Sequence, residues 1–258
     1  MAKLRHEKLS FEIRGAIFDA HNEFGMGWSE EVFHQALAHH FEKRSLPCLS
    51  KPRNPFTHRG IELHVFQCDF LIENRVILEL KALPFTGFAP AHYSQLIHYL
   101  KTWQKDLGFL VNFGKKTAQI QRLVWDEPEY KIEDFAKERG GLIERIKEIA
   151  GIVMGSYGLG YPDSIYRSVL ALEFAHYRMA CEKDIVILNP RLEKIGVKQA
   201  TPFLLVDGQV LVKVTSLMDG LSYFHREQMQ NFGEALGITE KLFINFGKRS
   251  LQFHSPSQ

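Results

Sequence analysis

Asp69, Glu79 and Lys81 are the residues of this chain whose types and spacing lend themselves most directly to chemistry. Asp69 sits inside the apolar run 66–72, and ten residues later Glu79 and Lys81 interrupt the run 76–82. On a strand, Glu79 and Lys81 stand at i and i+2 and share a face, while Val76, Leu78, Leu80 and Ala82 take the other. Charges on a covered sheet face are costly unless they are paired or hold a metal. An Asp and a Glu on neighbouring strands make a hard oxygen site suited to Mg2+ or Mn2+. A lysine beside them can orient or activate a water, which completes the equipment for metal-assisted phosphodiester hydrolysis. The same spacing also fits a partly exposed Glu–Lys pair on a solvated face, with Asp69 at a turn or edge.

Two further features converge on this cluster. Glu30 follows the Gly25-Met26-Gly27 turn at the start of a helix, where the macrodipole favours an anion. Gln95 and Tyr99 stand at i and i+4 on one helix face and can support metal ligands or contact a phosphate. A helix-start glutamate and a polar pair on an exposed helix are also ordinary surface features.

The elements that must position these residues follow from periodicity. Residues 11–24 place Ile13, Ile17, Ala20 and Phe24 at helical spacing, and the Gly25/Gly27 turn ends that helix. Ser29 is a good N-cap for a second helix with Val32, Phe33, Ala36, Leu37, His40 and Phe41 on its apolar stripe. Residues 61–73 and 75–83 read as a hairpin-like pair of strands about Asn74. A helix over 91–104 and strands over 107–113 and 118–125 complete the order α-α-β-β-α-β-β, an α/β unit with one mixed central sheet flanked by helices.

The chain then repeats itself. The string Asn-Phe-Gly-Lys occurs at 112–115 and at 245–248, an offset of 133 that also aligns Gly25 with Gly158, Gly27 with Gly160, Phe41 with Phe174, Cys48 with Cys181, His92 with His225 and Gln95 with Gln228. One register linking so many scattered identities marks a tandem duplication. The expected organisation is a first domain over 1–126, a charged linker over 127–140 and a second copy over 141–258. In the second copy a helix is expected over 161–175, strands over 202–206, 209–215 and 241–246, and a helix over 223–235. At the same offset Asp69, Glu79 and Lys81 fall on Pro202, Val212 and Val214, so the second sheet is expected to carry hydrocarbon in place of the charges. A fold that forms without these charges leaves their presence in the first copy to be explained by function.

Composition bounds the partners. The 258 residues are 45% hydrophobic and 24% charged with a net charge of +2, an ordinary globular balance that excludes collagen-like, mucin-like and disulfide-scaffold classes. Charge is even: residues 1–128 hold 16 Lys and Arg against 14 Asp and Glu, and residues 129–258 hold 16 of each. A broad basic field for nucleic acid is therefore absent, and any such contact must be local and salt-sensitive. Three cysteines without zinc spacing make a reducing cytoplasm the expected compartment. No stretch has the length and apolarity of a membrane span, and the first residues lack the apolar core of a secretory signal. His39 and His40 point to different helix faces and make poor joint metal ligands, and Gly155-x2-Gly158-x-Gly160 lacks the preceding strand of a dinucleotide site.

Read together, Gly27-Trp28-Ser29-Glu30-Glu31-Val32-Phe33, then Asp69, Glu79-Leu80-Lys81, Gln95-x3-Tyr99 and Asn112-Phe113-Gly114 resemble the GxxExxY protein family over residues 10–125. That family is similar to a branch of the PD-(D/E)xK nuclease superfamily. The resemblance implies two tandem restriction-endonuclease-like domains. It implies Asp69 and Glu79 as Mg2+ or Mn2+ ligands with help from the Leu80 carbonyl, and Lys81 as the group that positions the attacking water. Glu30 would complete the metal site or bind the water, and Gln95 and Tyr99 would support the metal ligands and contact phosphate. Phe33 departs from the family's tyrosine. In the second copy Gly160-Tyr161-Pro162-Asp163-Ser164-Ile165-Tyr166 keeps the motif's shape with Asp for Glu. The expected function is a metal-dependent nuclease acting on DNA or RNA through the first copy, the second being a degenerate pseudo-nuclease that imitates a homodimer partner. The alternative is a catalytically weak nucleic-acid- or protein-binding module on the same fold.

Overall fold

The computed structural model describes residues 5–126, 141–187, 199–216 and 220–255, and the expected linker over 127–140 lies outside them. The chain divides into two compact units, Met1–Glu127 and Pro128–Gln258.

In the first unit α1 (Glu7–Phe24) and α2 (Glu30–Lys43) bury one stripe each: Leu9, Ile13, Ala16, Ile17 and Ala20 from α1, and Phe33, Ala36, Leu37 and Phe41 from α2. Spacings of three and four residues put these side chains on a single face, and their burial against the sheet is what makes both segments helical. Gly25 and Gly27 turn the chain between the two helices at φ 70° and 103°, a region costly for residues with a Cβ. Ser29 does occupy the N-cap of α2, but its side chain makes no capping bond.

The helices pack on a five-stranded sheet of β1 (Cys48–Ser50), β4 (Phe70–Ile72), β5 (Val76–Lys81), β6 (Leu107–Asn112) and β7 (Gln119–Val124), in that spatial order. All neighbours are antiparallel except β5 and β6, which run parallel because α3 (Pro90–Thr102) crosses over between them. The long β-rich run over 61–73 is not one strand. It breaks at Cys68-Asp69 into β3 (Ile61–Gln67), which pairs with β2 (Arg53–His58) as a separate ribbon, and β4 in the main sheet. Alternation on β5 sends Val76, Leu78 and Leu80 into the core beneath α1 and α2. The opposite face carries Ile77, Glu79 and Lys81 under α3. There Gly108, the ladder partner of Ile77, leaves room for Leu96.

The second unit repeats every step. Helices α4 (Leu142–Tyr157) and α5 (Asp163–His176) are joined through Gly158 and Gly160 at φ 62° and 100°. A sheet of β8 (Cys181–Lys183), β11 (Phe203–Val206), β12 (Val210–Ser216), β13 (Glu240–Phe246) and β14 (Leu251–His254) has the same order and directions, with α6 (Tyr223–Leu236) as its crossover. A short ladder joins β9 (Val186–Ile187) to β10 (Gln199–Ala200).

The ladders correct the ungapped alignment of the two halves. The first hairpin closes at Ile72 and Val76 around Glu73 and Asn74, both at positive φ; the second closes at Val206 and Val210 around Asp207 and Gly208, also at positive φ. Cys48 faces Ile72, whereas Cys181 faces Val206. The second copy therefore gains one residue before this hairpin and loses one after it. Lys81 stands opposite Asn112 on β6, and Thr215 stands opposite Asn245 on β13. Through this hairpin Asp69 corresponds to Phe203, Glu79 to Lys213 and Lys81 to Thr215, not to Pro202, Val212 and Val214. Apolar runs align with themselves almost as well after a one-residue slip, but such a slip turns every side chain to the other face.

Candidate active site

Strand β4 is three residues long, and its shortness builds the site. Antiparallel pairing covers the edge of β5 only as far as Leu78 opposite Phe70. Beyond that point two carboxylates take the place of the missing strand. The Leu80 N–H donates to Asp69 Oδ2 at 2.7 Å, and the Ala82 N–H donates to Glu30 Oε1 at 3.1 Å. N–H and C=O of one residue point to the same side of a strand, so the Leu80 carbonyl faces the same edge, between the two acids. Glu30 reaches it from the first turn of α2, and the Gly25–Gly27 turn aims that turn at the strand.

Glu79 projects from the adjacent sheet face and is 4% exposed. Lys81 Nζ donates to Glu79 Oε1 at 2.7 Å, so the i, i+2 pair is in direct contact. Burial, and then the negative charge of Asp69, push the Glu79 carboxyl up to about 8; Lys81 opposes them only in part. A carboxyl so disfavoured in its charged form is one that a bound divalent cation would stabilise. Above it on α3, Gln95 Nε2 donates to the Tyr99 hydroxyl at 2.9 Å. The Tyr99 phenol is pushed above its ordinary range by burial and then by Glu79. Cys68 beside them is buried, its thiol raised by burial and by both acids, so it is held as an inert thiol.

The structure brings Glu30, Asp69, Leu80, Glu79 and Lys81 to one end of β5, with the Gln95–Tyr99 pair on the helix over it. Two neighbours join them: His34, to which the sequence assigned no role, and Asn112, which it marked only as part of a motif. His34, four residues after Glu30 on α2, is 2% exposed and stacks on Phe70 at 4.1 Å. Its Nε2 lies 2.7 Å from Ser50 Oγ, and its Nδ1 is 3.8 Å from Asp69 Oδ1. Burial, more than any neighbouring charge, lowers its basicity. Its i+4 spacing from Glu30 was the available signal. Asn112, fully buried, accepts the Leu83 and Gly114 N–H groups at 2.7 and 2.9 Å and donates to the Leu83 carbonyl at 3.1 Å, which pins the chain just beyond Ala82.

Among the described residues no group of three or more His, Cys, Asp or Glu side chains is placed to hold a metal ion by itself. The donors near the end of β5 are the paired Asp69 and Glu79 carboxylates and the Leu80 carbonyl, with Glu30 one step further along the strand edge, all hard oxygens. That set fits a hard divalent cation that keeps water in its remaining positions.

The same place in the second unit is chemically different. Lys213 Nζ donates to Gln228 Oε1 at 3.2 Å and sits 4.9 Å above the Phe203 ring, while Thr215 donates to Asn245 Oδ1 at 3.0 Å. Phe203 packs with Leu211, Met229 and Phe243 into an apolar cluster under α6. The expected hydrocarbon is present at Phe203 alone; the Glu79 position holds a cation.

A mixed sheet with two helices on one face and a crossover helix on the other is a restriction-endonuclease-like fold, present here twice; the first copy carries the acid–acid–lysine set and the second does not. The chain belongs to the PD-(D/E)XK nuclease superfamily, whose family model matches residues 7–123 and again residues 141–255. Curated proteins give no significant match to the chain. No described helix is long and apolar enough to cross a membrane.

Proposed function

We propose that the first copy hydrolyses phosphodiester bonds of DNA or RNA with Mg2+ or Mn2+, through Glu30, Asp69, Glu79, Lys81, Gln95 and Tyr99. The observation that carries this reading is the edge of β5, where Asp69, the Leu80 carbonyl and Glu30 follow one another along the strand beside Glu79. Asp69, Glu79 and the Leu80 carbonyl would hold the ion, with Glu30 completing the set. The bound ion would supply charge for the developing phosphorane oxygens and lower the pKa of a water. Lys81 is tethered to Glu79, close to the acids, where it orients the attacking water and offsets the charge that builds on the phosphate. The Gln95 amide and Tyr99 hydroxyl, fixed to each other, present donors to a phosphate oxygen. Superfamily membership supports the reaction class.

The test is cleavage of single- and double-stranded DNA and RNA across a titration of Mg2+ and Mn2+. Glu79→Ala and Lys81→Ala are expected to lower metal-dependent cleavage by at least about 100-fold. Metal-independent binding without cleavage by the wild-type chain would instead mark a binding module on a nuclease fold.

A further inference from the structure

We infer that the second copy binds single-stranded nucleic acid without a metal, with a backbone phosphate on Lys213 and Arg167 and a base against Tyr223 and Phe224. Three structural registers place these residues. The hairpin ladders put Lys213 at the position of Glu79. On the helices before the sheet, Phe33 stacks on Phe113 as Tyr166 stacks on Phe246, which puts Asp163 where Glu30 stands and Arg167 where His34 stands. On the crossover helices, His92 Nδ1 accepts the Ala89 N–H at 3.0 Å and His225 Nδ1 accepts the Ser222 N–H at 3.4 Å, which puts Tyr223 and Phe224 where Pro90 and Ala91 stand.

Read position by position, the site inverts its charge. Glu30, His34, Asp69, Glu79 and Lys81 carry three acids and one lysine. Asp163, Arg167, Phe203, Lys213 and Thr215 carry one acid, one arginine and one lysine. The carboxylates that suit a divalent cation are gone, and their replacements suit an anion. Lys213 is 8% exposed against 4% for Glu79, so it is no more hidden than the residue it replaces. Gln228 and the Phe203 ring hold its ammonium in place while leaving donor capacity. Burial lowers its pKa; Asp163 opposes this and Arg167 adds to it, so both residues of α5 lie close enough to act on the ammonium.

The aromatic pair decides which anion. Tyr223 and Phe224 are 77% and 66% exposed on the first turn of α6, next to His225, which also lies close enough to feel Lys213. Their counterparts in the first copy are a proline and an alanine. Lys213 bonds Gln228 of the helix whose first turn carries these rings, and cations with exposed aromatic faces nearby are the means by which proteins hold unpaired strands, in which bases are free to stack. A duplex hides those faces.

This inference depends on no metal and no cleavage, so it stands or falls separately from the nuclease reading. The experiment is fluorescence anisotropy of labelled oligo-dT and oligo-U of about twelve nucleotides with the full chain in EDTA. Lys213→Met, Arg167→Gln and the pair Tyr223→Ser/Phe224→Ser are each expected to weaken binding about tenfold or more. Arg167, Tyr223 and Phe224 are not core residues, so their variants keep the test valid if Lys213→Met disturbs folding. A duplex of matching length is expected to bind more weakly than the single strand. The inference is overturned if the wild-type chain binds neither oligonucleotide in EDTA, if Arg167→Gln and the aromatic variant bind like wild type, or if binding appears only with Mn2+.

Discussion

The two halves of this chain share a scaffold and diverge on one sheet face. Both bend their first helices through a Gly-x-Gly turn, order five strands identically and place a histidine in the first turn of the crossover helix. Under that helix the first half sets Asp69, Glu79 and Lys81, and the second sets Phe203, Lys213 and Thr215. The sheet forms either way, so its ladders and its other face, packed by Val76, Leu78 and Leu80 in the first half, hold the fold together. Buried Glu79, whose charged form burial and Asp69 disfavour, is then a burden on stability, which makes sense only if something else uses it.

That burden gives the largest expected effect. In the folded chain the Glu79 carboxyl titrates near pH 8, against 4.5 for the ordinary group. Between these values the folded state binds more protons than the unfolded one, so stability falls as pH rises through the window and the loss is complete above it. The loss is on the order of 3–5 kcal/mol for the first unit. Glu79→Gln is expected to abolish this slope and to melt higher than wild type at pH 8.5. Mg2+ at that pH is expected to raise the wild-type melting temperature and to leave the Gln variant unmoved. In the second half Lys213 has its pKa lowered, so its contribution has the opposite sign: stability rises with pH as the ammonium is lost. A wild-type first unit whose stability is flat from pH 5 to 8 would break the contrast.

A smaller effect is expected at Gly114. A Cβ there would lie 2.5–2.7 Å from the Leu83 backbone, which Asn112 draws against this glycine with three hydrogen bonds. Backbone cannot yield as a side-chain tip can, so Gly114→Ala is expected to destabilise the first unit by about 2–3 kcal/mol in denaturant titrations. It should also weaken the hold of Ala82 on Glu30, and with it metal binding.

Much of this was legible because it rests on local rules. Helical stripes, glycine turns and the alternation of Val76 to Lys81 each state their own geometry. The repeat was legible too, because Asn-Phe-Gly-Lys and the paired glycines lie where the two halves keep one spacing. What escaped depends on non-local pairing. The run 61–73 has strand-forming residues throughout, and nothing within it says that Gln67 ends one sheet and Phe70 begins another. The shift that exchanges Val212 for Lys213 lies within apolar runs that match at either register, and only the facing strand decides. His34 has no sequence signal beyond its i+4 spacing from Glu30, and its nearness to Asp69 is made by the sheet.

The smallest effect isolates the buried hydroxyl that the second motif carries at Tyr166 and the first lacks at Phe33. Tyr166 is fully buried; its hydroxyl donates to the Gly158 carbonyl at 2.7 Å and accepts the Tyr161 N–H at 3.2 Å, bracing the turn before α5. Phe33 packs in the same way on Phe113 but has no hydroxyl, and the turn it faces has nearly the same φ values at its two glycines. There Trp28 Nε1 donates to the Phe24 carbonyl at 3.0 Å, bracing the turn from the outside. Tyr166→Phe leaves buried polar backbone without its partner and is expected to cost the second unit about 1–3 kcal/mol. Phe33→Tyr offers the same bonds to a turn of the same shape and is expected to stabilise the first unit by about 0.5–1.5 kcal/mol. Denaturant unfolding of the two variants measures both. A loss of stability in Phe33→Tyr as large as that in Tyr166→Phe would mean that the turns differ in shape, and that the first half gave up the hydroxyl because its turn has no room for one.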